Sequence, residues 1–160
     1  MKNSKKIGIW GYGIFGRSAV NYFNQLGYQL AVVDKSRQHP DIKELEQKNI
    51  PFDSESQLNE FLENHDLILP SPGIDLRPYE QYKSKWLSQL DIFYSQWQKP
   101  IIAITGSIGK TTVTHLLTLL LTHAGKTVAM GGHIGIPVFE LLYAKSAKEL
   151  AVVEVSSFQL

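Results

Sequence analysis

The amino-acid sequence predicts an α/β fold with parallel sheets, divided between two domains. Short apolar runs alternate with segments of helical periodicity along the 160 residues, and this alternation favours parallel strands joined by crossover helices. Two glycine-containing turns, at 11–16 and 105–109, support the prediction because each lies between a predicted strand and a predicted helix. The polar segment 94–100 separates the halves, so we predict domains at 1–95 and 96–160.

Each element follows from its hydrophobic period. In the first half, the predicted strands are 6–10, 29–33 and 66–69, and the predicted helices are 17–26, 41–48, 55–62 and 78–87. In the second half, the predicted strands are 101–104, 127–130 and 150–155, and the predicted helices are 113–121 and 137–142. A phosphate-binding α/β domain usually has about five strands or more, so we expect the second domain to be incomplete and the chain to be a fragment of a longer protein.

Charge and composition narrow the classes of partner. The 16 basic and 15 acidic residues leave a formal charge of +1, so no electrostatic feature favours nucleic acid or an anionic membrane. There is no cysteine, which excludes a disulfide framework and a thiolate metal site and fits a cytoplasmic location. The longest apolar stretch, around 116–121, is too short to span a bilayer.

The first glycine turn matches a dinucleotide-binding fingerprint. Gly11, Gly13 and Gly16 follow a predicted strand and precede a predicted helix, and Asp34 closes the next strand. Glycines at this spacing allow a tight turn and close approach of the backbone to a pyrophosphate, and the acid suits a ribose hydroxyl. NAD, FAD or a UDP-sugar would all suit such a turn, and a glycine-rich turn kept for packing is the alternative.

A second loop is predicted at the same edge of the first sheet. Ser71, Pro72, Gly73 and Ile74 follow the predicted strand 66–69. Open α/β sheets bind ligands at the carboxyl ends of their strands, where the N–H groups of Gly73 and Ile74 could hold phosphate oxygens. A plain Pro-Gly turn is the alternative.

The second half contains a phosphate loop. It comprises Thr105, Gly106, Ser107, Ile108, Gly109, Lys110, Thr111 and Thr112. Backbone N–H groups of such a loop converge on an anion, the lysine reaches the β- and γ-phosphates, and the hydroxyl of Thr111 can bind Mg²⁺. The usual loop has a glycine six residues before the lysine, where this chain has Ile104.

Two further side chains are candidates beside this loop. Glu154 lies in an apolar strand, where a carboxylate costs free energy unless it is paired or binds a metal. Mg²⁺ is the natural partner beside a phosphate loop, and an edge-strand acid facing solvent is the alternative. His133, after Gly131 and Gly132, could donate to a phosphate or be an ordinary loop residue.

Together these motifs resemble the Mur ligases over essentially the whole chain. The matching residues are 11–16, Asp34, 71–74, 103–107, Gly109, Lys110, Gly131, Gly132, Ile134, Gly135, Glu154 and 156–160. The phosphate loop, including its missing first glycine, is typical of the family, and folylpolyglutamate synthase shares the loop. The run 156–160 together with 71–74 is most similar to the family members that use D-glutamate.

The resemblance implies a Rossmann-like UDP-binding domain followed by an incomplete phosphate-loop domain, the central domain of the family. It implies ATP and Mg²⁺ as cofactors, with ATP bound at 105–112. Lys110 and Glu154 are then catalytic, and Thr111 and Glu154 bind the metal. The residues implied near the UDP-linked substrate are Gly13, Ile14, Phe15, Asp34, Lys35, Ser71, Pro72, Gly73, Ile74, His133 and Gln159.

The implied activity is ATP-dependent amide formation between UDP-N-acetylmuramoyl-L-alanine and D-glutamate in peptidoglycan synthesis, through an acyl phosphate. The full-length protein is expected to be a monomer. The fragment is expected to be inactive, because the family also needs later central-domain residues and a third domain. Ile108 and His133 stand where the family usually has asparagine.

Three alternatives stay open. The intact protein could be another Mur-type ligase or a relative of folylpolyglutamate synthase, since the phosphate loop is common to them. A nicotinamide-dependent oxidoreductase built on residues 1–95 would explain the first glycine turn and Asp34, but not the phosphate loop.

Overall fold

The computed structural model describes residues 5–35, 42–132 and 135–156. The chain divides into two compact units, Met1–Ser88 and Gln89–Leu160. Each unit contains a sheet whose strands all run parallel. The predicted α/β fold class is therefore confirmed.

The first unit is a four-stranded sheet with helices in its crossover connections. Its elements are β1 (Lys6–Trp10), α1 (Ile14–Gln25), β2 (Gln29–Asp34), α2 (Ile42–Gln47), β3 (Phe52–Ser54), α3 (Leu58–Asn64) and β4 (Leu67–Pro70). Short 3₁₀ helices occupy Glu55–Gln57 and Arg77–Lys85. The strand order β3-β2-β1-β4 places β1 between β2 and β4, so the loops that follow these three strands emerge at one edge of the sheet.

Helices cover both faces of β1. Ile9 faces α1, since the position of a Cβ on Gly16 would lie 3.5 Å from its side chain. Gly8 faces α3 instead, because successive residues of a strand point to opposite faces. A Cβ at Gly8 would lie 2.5 Å from the ring of Phe61, so glycine is what lets α3 approach this strand.

Two parts of the first unit differ from the sequence prediction. Strand β3 is only three residues long and was not predicted, because so short a run shows no measurable period. The segment 78–87 was predicted as a helix, but the structure has 3₁₀ turns over Arg77–Lys85, which break at Tyr79 (φ −123°, ψ 27°). Tyr79 packs edge-on against Trp10 with ring centroids 5.1 Å apart, and this tertiary contact outweighs the local helical pattern.

The second unit is a three-stranded sheet in the order β5-β7-β6. Its elements are α4 (Gln89–Trp97), β5 (Ile101–Ile104), α5 (Lys110–His123), β6 (Val128–Gly132), α6 (Val138–Tyr143) and β7 (Leu150–Glu154). A 3₁₀ turn spans Lys145–Ala147. Ile104, Glu154 and Gly132 are aligned across the three strands, so the carboxyl ends of β5, β7 and β6 meet beside the loop that leads into α5.

The predicted domain division at 95/96 falls inside α4. Phe93 and Trp97 of this helix stack with ring centroids 5.4 Å apart. Both are buried in the core of the second unit together with Val153. The indole nitrogen of Trp97 donates to the carbonyl of Pro100 at 3.2 Å. The polar residues of 94–100 are the outer face of this helix and its exit turn, which is why the segment resembles a linker in the sequence.

Helix α5 leaves an apolar stripe uncovered. Val113, Leu116, Leu119 and Leu120 are each about half exposed or more, at 49–66%. Among the described residues, no helix is long and apolar enough to cross a membrane.

Candidate nucleotide-binding sites

The glycine turn of the first unit is shaped by two close approaches. Gly11 has φ +93°, a conformation that side chains rarely adopt. Its N–H donates to the carbonyl of Val33 at 2.8 Å, which ties the turn to β2. A Cβ on Gly16 would lie 1.9 Å from the Gly11 carbonyl oxygen, so only glycine at position 16 permits this packing of α1 on the turn.

Asp34 also contacts the turn. Its Oδ2 accepts the backbone N–H of Tyr12 at 2.5 Å. The carboxylate therefore helps to hold the backbone of the turn, in addition to any contact with a ribose or a uracil. Lys35, the next residue, is exposed.

The N-terminus of α1 is open. Gly13 is the N-cap, and no side chain within the described residues accepts a hydrogen bond there. Nothing lies within 4 Å of the position of a Cβ on Gly13, and Ile14 is 57% exposed. The first N–H groups of a helix lack intrahelical acceptors and carry the positive end of the helix dipole, so this end suits an anion. Phe15, in the same turn, is half-buried.

The loop after β4 lies against the glycine turn. The N–H of Ser71 donates to the Trp10 carbonyl at 2.7 Å, and its hydroxyl donates to the Gly11 carbonyl at 3.1 Å. Gly73 has φ +95° with open space around it. The Ile74 N–H donates weakly, at 3.3 Å, to the Ser71 carbonyl. The structure thus brings together the two loops that the sequence predicted at one sheet edge.

An ion pair follows this loop. Arg77 donates from Nε and Nη2 to the two carboxylate oxygens of Asp75, each at 2.8 Å. These hydrogen bonds lower the pKa of Asp75 from its ordinary 3.8 to about 2. Asp75 therefore stays ionised to a lower pH than an ordinary aspartate does.

The phosphate loop of the second unit is exposed over residues 105–109. Gly106 and Gly109 have φ +151° and +81°. Lys110 Nζ donates to the Gly106 carbonyl at 2.8 Å, so the lysine folds back over its own loop. Ile108, at the tip, is 95% exposed. Ile104, which replaces the usual glycine, lies in β5 and accepts a hydrogen bond from the Val155 N–H at 2.9 Å.

Glu154 is the buried carboxylate of this unit. It lies at the end of the central strand and is 2% exposed, so the alternative of a solvent-facing edge acid is wrong. Its Oε2 accepts the hydroxyl of Thr111 at 2.9 Å. Within the described parts of the chain, its Oε1 is buried and accepts no hydrogen bond. A buried oxygen of this kind is costly unless a further partner or a cation occupies the space beside it.

The residues present fit a magnesium ion only in part. Glu154 and Thr111 supply a carboxylate and a hydroxyl, which are the oxygen donors that Mg²⁺ prefers. No cluster of three or more His, Asp or Glu side chains suited to a metal exists in the described ranges. Phosphate oxygens and waters would have to complete the coordination, as is usual for this ion in nucleotide sites.

Gly132, the last residue of β6, packs against the same strand end. A Cβ on Gly132 would lie 2.1 Å from the Glu154 carbonyl oxygen, and its φ is +131°. His133 and Gln159, which the sequence analysis placed near the substrate, lie outside the described residues. The carbonyls of Trp10 and Val33, which accept hydrogen bonds from Ser71 and Gly11 in the first site, were not predicted from the sequence. Their positions at the ends of strands were the available signal.

Comparison with protein families matches both units. The model described as Mur ligase MurD-like, N-terminal domain, matches residues 5–92, and the Mur ligase middle domain matches residues 104–160. The chain belongs to the Mur ligase family. The resemblance predicted from the glycine turns and from 156–160 is thereby confirmed.

Curated Mur ligases are similar along nearly the whole chain. The UDP-N-acetylmuramoylalanine–D-glutamate ligase of Pasteurella multocida is 37% identical over 98% of this chain, and that of Blochmanniella floridana is 40% identical over 95%. The chain spans only 37% and 35% of the length of these two relatives.

Solved structures support the fold. A pseudomurein peptide ligase type C from Methanothermus fervidus matches 97% of this chain and 33% of its own length, with 23% identity and a TM-score of 0.51. A murein peptide ligase from Psychrobacter arcticus matches 97% of this chain and 39% of its own length, with 22% identity and the same TM-score.

Proposed function

We propose that this chain forms the UDP-substrate domain and part of the ATP domain of a ligase that joins D-glutamate to UDP-N-acetylmuramoyl-L-alanine. The observation that carries the proposal is the Glu154 carboxylate beside the phosphate loop, which is buried and bonded to Thr111, and whose second oxygen has no hydrogen-bond partner among the described residues. The names of the similar curated ligases supply the substrates. The cysteine-free composition fits the cytoplasm as its location.

The second unit has the groups that an ATP site needs. Residues 105–112 would surround the phosphates, with Lys110 leaving Gly106 to reach the β- and γ-phosphates. Thr111 and Glu154 would hold Mg²⁺. When bound, this ion would neutralise charge on the phosphate oxygens.

The first unit has the groups that a UDP site needs. The open N-terminus of α1 at Gly13, Ile14 and Phe15 suits the diphosphate. Ser71, Pro72, Gly73 and Ile74 border the same edge of the sheet, where Asp34 ends β2 and Lys35 follows it. We also propose His133 and Gln159 as substrate contacts, on the family resemblance alone.

The proposed reaction proceeds through an acyl phosphate. The carboxylate of UDP-N-acetylmuramoyl-L-alanine attacks the γ-phosphorus of ATP, and ADP leaves. The amine of D-glutamate then attacks the acyl carbon, and inorganic phosphate leaves as the amide forms. Both reactants of the first step are anionic, so the positive charge of Lys110 would offset the repulsion in the transition state. We propose that the 160-residue chain alone binds ligands without turnover, and that the full-length enzyme is a monomer.

A nicotinamide-dependent oxidoreductase is the second candidate. The glycine turn and Asp34 at the end of β2 favour it, since they have the arrangement of a dinucleotide site. That candidate assigns no role to Lys110, Thr111 or Glu154.

Calorimetric titration separates the two candidates. The chain is titrated with UDP, UDP-N-acetylmuramoyl-L-alanine and NADH under one set of conditions. We expect heat from both UDP compounds, with tighter binding of the larger one, and no saturable heat from NADH. Binding of NADH without a response to UDP would overturn the ligase proposal.

A further inference from the structure

Both hydrogen-bond donors of Ser71 are already engaged. Its N–H donates to the Trp10 carbonyl at 2.7 Å, and its hydroxyl donates to the Gly11 carbonyl at 3.1 Å. A serine hydroxyl has only one proton to donate, and an ionised diphosphate only accepts hydrogen bonds. While these two bonds persist, Ser71 has no donor left for the diphosphate of a UDP-linked substrate.

The Gly11–Tyr12 peptide forms hydrogen bonds through both its C=O and its N–H group. Its oxygen, on Gly11, accepts the Ser71 hydroxyl, and its N–H, on Tyr12, donates to Asp34 Oδ2 at 2.5 Å. The C=O and N–H of a trans peptide point in opposite directions. Ser71 on the β4 side and Asp34 on the β2 side therefore hold one peptide plane from opposite sides.

The surrounding atoms leave that plane little room. The Gly11 carbonyl oxygen also contacts the backbone of Gly16, where a Cβ would come within 1.9 Å. A Cβ on Gly11 would lie 2.7 Å from the Ser71 hydroxyl oxygen. The next residue but one, Gly13, caps α1 and has open space around it. The Gly11–Tyr12 peptide, held by hydrogen bonds on both sides, thus sets the direction in which the chain enters the open N-terminus of α1.

We infer that Ser71 is a positioning residue for the diphosphate site, acting through the Gly11–Tyr12 peptide and not by contact with the ligand. This inference rests on the proposed function, since it concerns the same UDP-binding site. Because the peptide is already fixed in the ligand-free protein, binding of the ligand loses less conformational entropy. Loss of the Ser71 hydroxyl would then loosen the turn before any ligand arrives.

The test uses the 160-residue chain with Ser71→Ala, Ser71→Thr and a matched control, Ser56→Ala. Ser56 lies in the same unit, is exposed and bonds only to the Ser54 hydroxyl among the described contacts. Two quantities are measured for each variant: amide hydrogen exchange of Tyr12 without ligand, by NMR, and the Kd for UDP, by calorimetry.

For Ser71→Ala we expect Tyr12 exchange to accelerate by about tenfold or more and UDP binding to weaken by about tenfold, the effect of one lost hydrogen bond. Ser71→Thr, which keeps the hydroxyl, should recover most of both. Ser56→Ala should change neither.

Three results would overturn the inference. Weaker UDP binding with unchanged Tyr12 exchange would show direct contact between Ser71 and the ligand. Faster exchange with unchanged UDP affinity would show a purely structural role. Unchanged values of both would show that Ser71 does not hold the peptide. If the unaltered chain does not bind UDP, the proposed function fails. Amide exchange of Tyr12 still decides whether the Ser71 hydroxyl holds the Gly11–Tyr12 peptide in place.

Discussion

At the scale of single residues, Lys110 and Glu154 are predicted to act on ATP. In the full-length enzyme, Lys110→Ala should remove the charge proposed to offset the phosphates, and Glu154→Ala should remove the buried carboxylate proposed to hold Mg²⁺. Loss of one such contact costs a few kcal/mol, or roughly 100-fold or more in kcat. Lys126→Ala is the matched control, because Lys126 is exposed and pairs with Glu149 at 3.2 Å. Turnover at the unaltered rate in either of the first two variants would contradict these roles.

The two glycines that flank the start of α1 should respond very differently to one added methyl group. Gly16→Ala places a Cβ 1.9 Å from a backbone oxygen, whereas Gly13→Ala meets nothing within 4 Å. We expect Gly16→Ala to lower the free energy of unfolding of the first unit by about 3 kcal/mol. Gly13→Ala should change it by less than about 1 kcal/mol. Urea unfolding, followed by tryptophan fluorescence, measures the free energy of unfolding of both variants. Equal effects of the two substitutions would contradict the close packing of Gly16 against the turn.

The pKa of Asp75 should depend on Arg77. The guanidinium lowers this pKa to about 2, so Arg77→Gln should return it towards 3.8, as read from the carboxyl carbon shift by NMR. Because the folded pKa is lowered, the stabilisation is present above the ordinary pKa and is lost as the pH falls towards 2. Arg77 and Asp75 are 87% and 51% exposed, so solvent screening keeps this stabilisation small, and the unfolding transition above pH 5 should differ little between the two proteins. An unmoved Asp75 titration would contradict the ion pair.

At the scale of elements, α5 has an unusual distribution of side chains. Its sheet side includes the buried Thr114, whose hydroxyl finds no partner in the described residues, while Leu116 and Leu120 are 54% and 66% exposed. A surface helix of a globular domain normally shows the reverse pattern. The helix therefore gains little stability from its outer leucines in this chain.

Polar substitution on the outer side of α5 should be tolerated. Leu116→Gln combined with Leu120→Gln should change the free energy of unfolding of the second unit by less than about 0.5 kcal/mol per site. The double variant should also reduce concentration-dependent association, measured by sedimentation velocity, because it shrinks an exposed apolar patch. As a buried control, Val153→Ala, which is 1% exposed, should cost roughly 1–3 kcal/mol. Strong destabilisation by the outer substitutions would show that this side of α5 is packed.

At the scale of the whole molecule, the division between the units makes a prediction about autonomous folding. A chain ending at Ser88 keeps the Leu87 N–H bond to the Ile68 carbonyl at 2.7 Å. A chain ending at residue 95 adds part of α4, whose Phe93 and Trp97 belong to the other core. We expect chains 1–88 and 1–95 to have the same Tm and the same affinity for UDP.

Limited proteolysis gives an independent check. Lys145 Nζ donates to the Gln96 carbonyl at 2.5 Å, and Lys99 Nζ donates to the carbonyls of Lys145 and Lys148. These bonds anchor 96–100 within the second unit, so the first cut between the units should precede Gln89 and not fall at 96–100. A higher Tm for chain 1–95, or a first cut at 96–100, would show that α4 belongs with the first unit.

Local sequence determined much of this protein. The α/β class, most strands and helices, and both glycine turns follow from short-range periodicity and from conformations that only glycine adopts easily, as at Gly11 and Gly109. Lys110, Thr111 and Glu154 could be proposed as site residues because a phosphate loop and a carboxylate in an apolar strand are visible without coordinates.

Tertiary structure decided what each of these residues contacts. The burial of Glu154 and its bond to Thr111 depend on β7 being the central strand, with 43 positions separating the two residues. Asp34 and Ser71 both form hydrogen bonds with the Gly11–Tyr12 peptide, and these bonds join the ends of three strands that are distant in sequence. The same holds for α4, whose apolar side finds most of its core partners beyond residue 128. Such contacts arise when the chain closes long loops, and no local pattern in the sequence records which partners then meet.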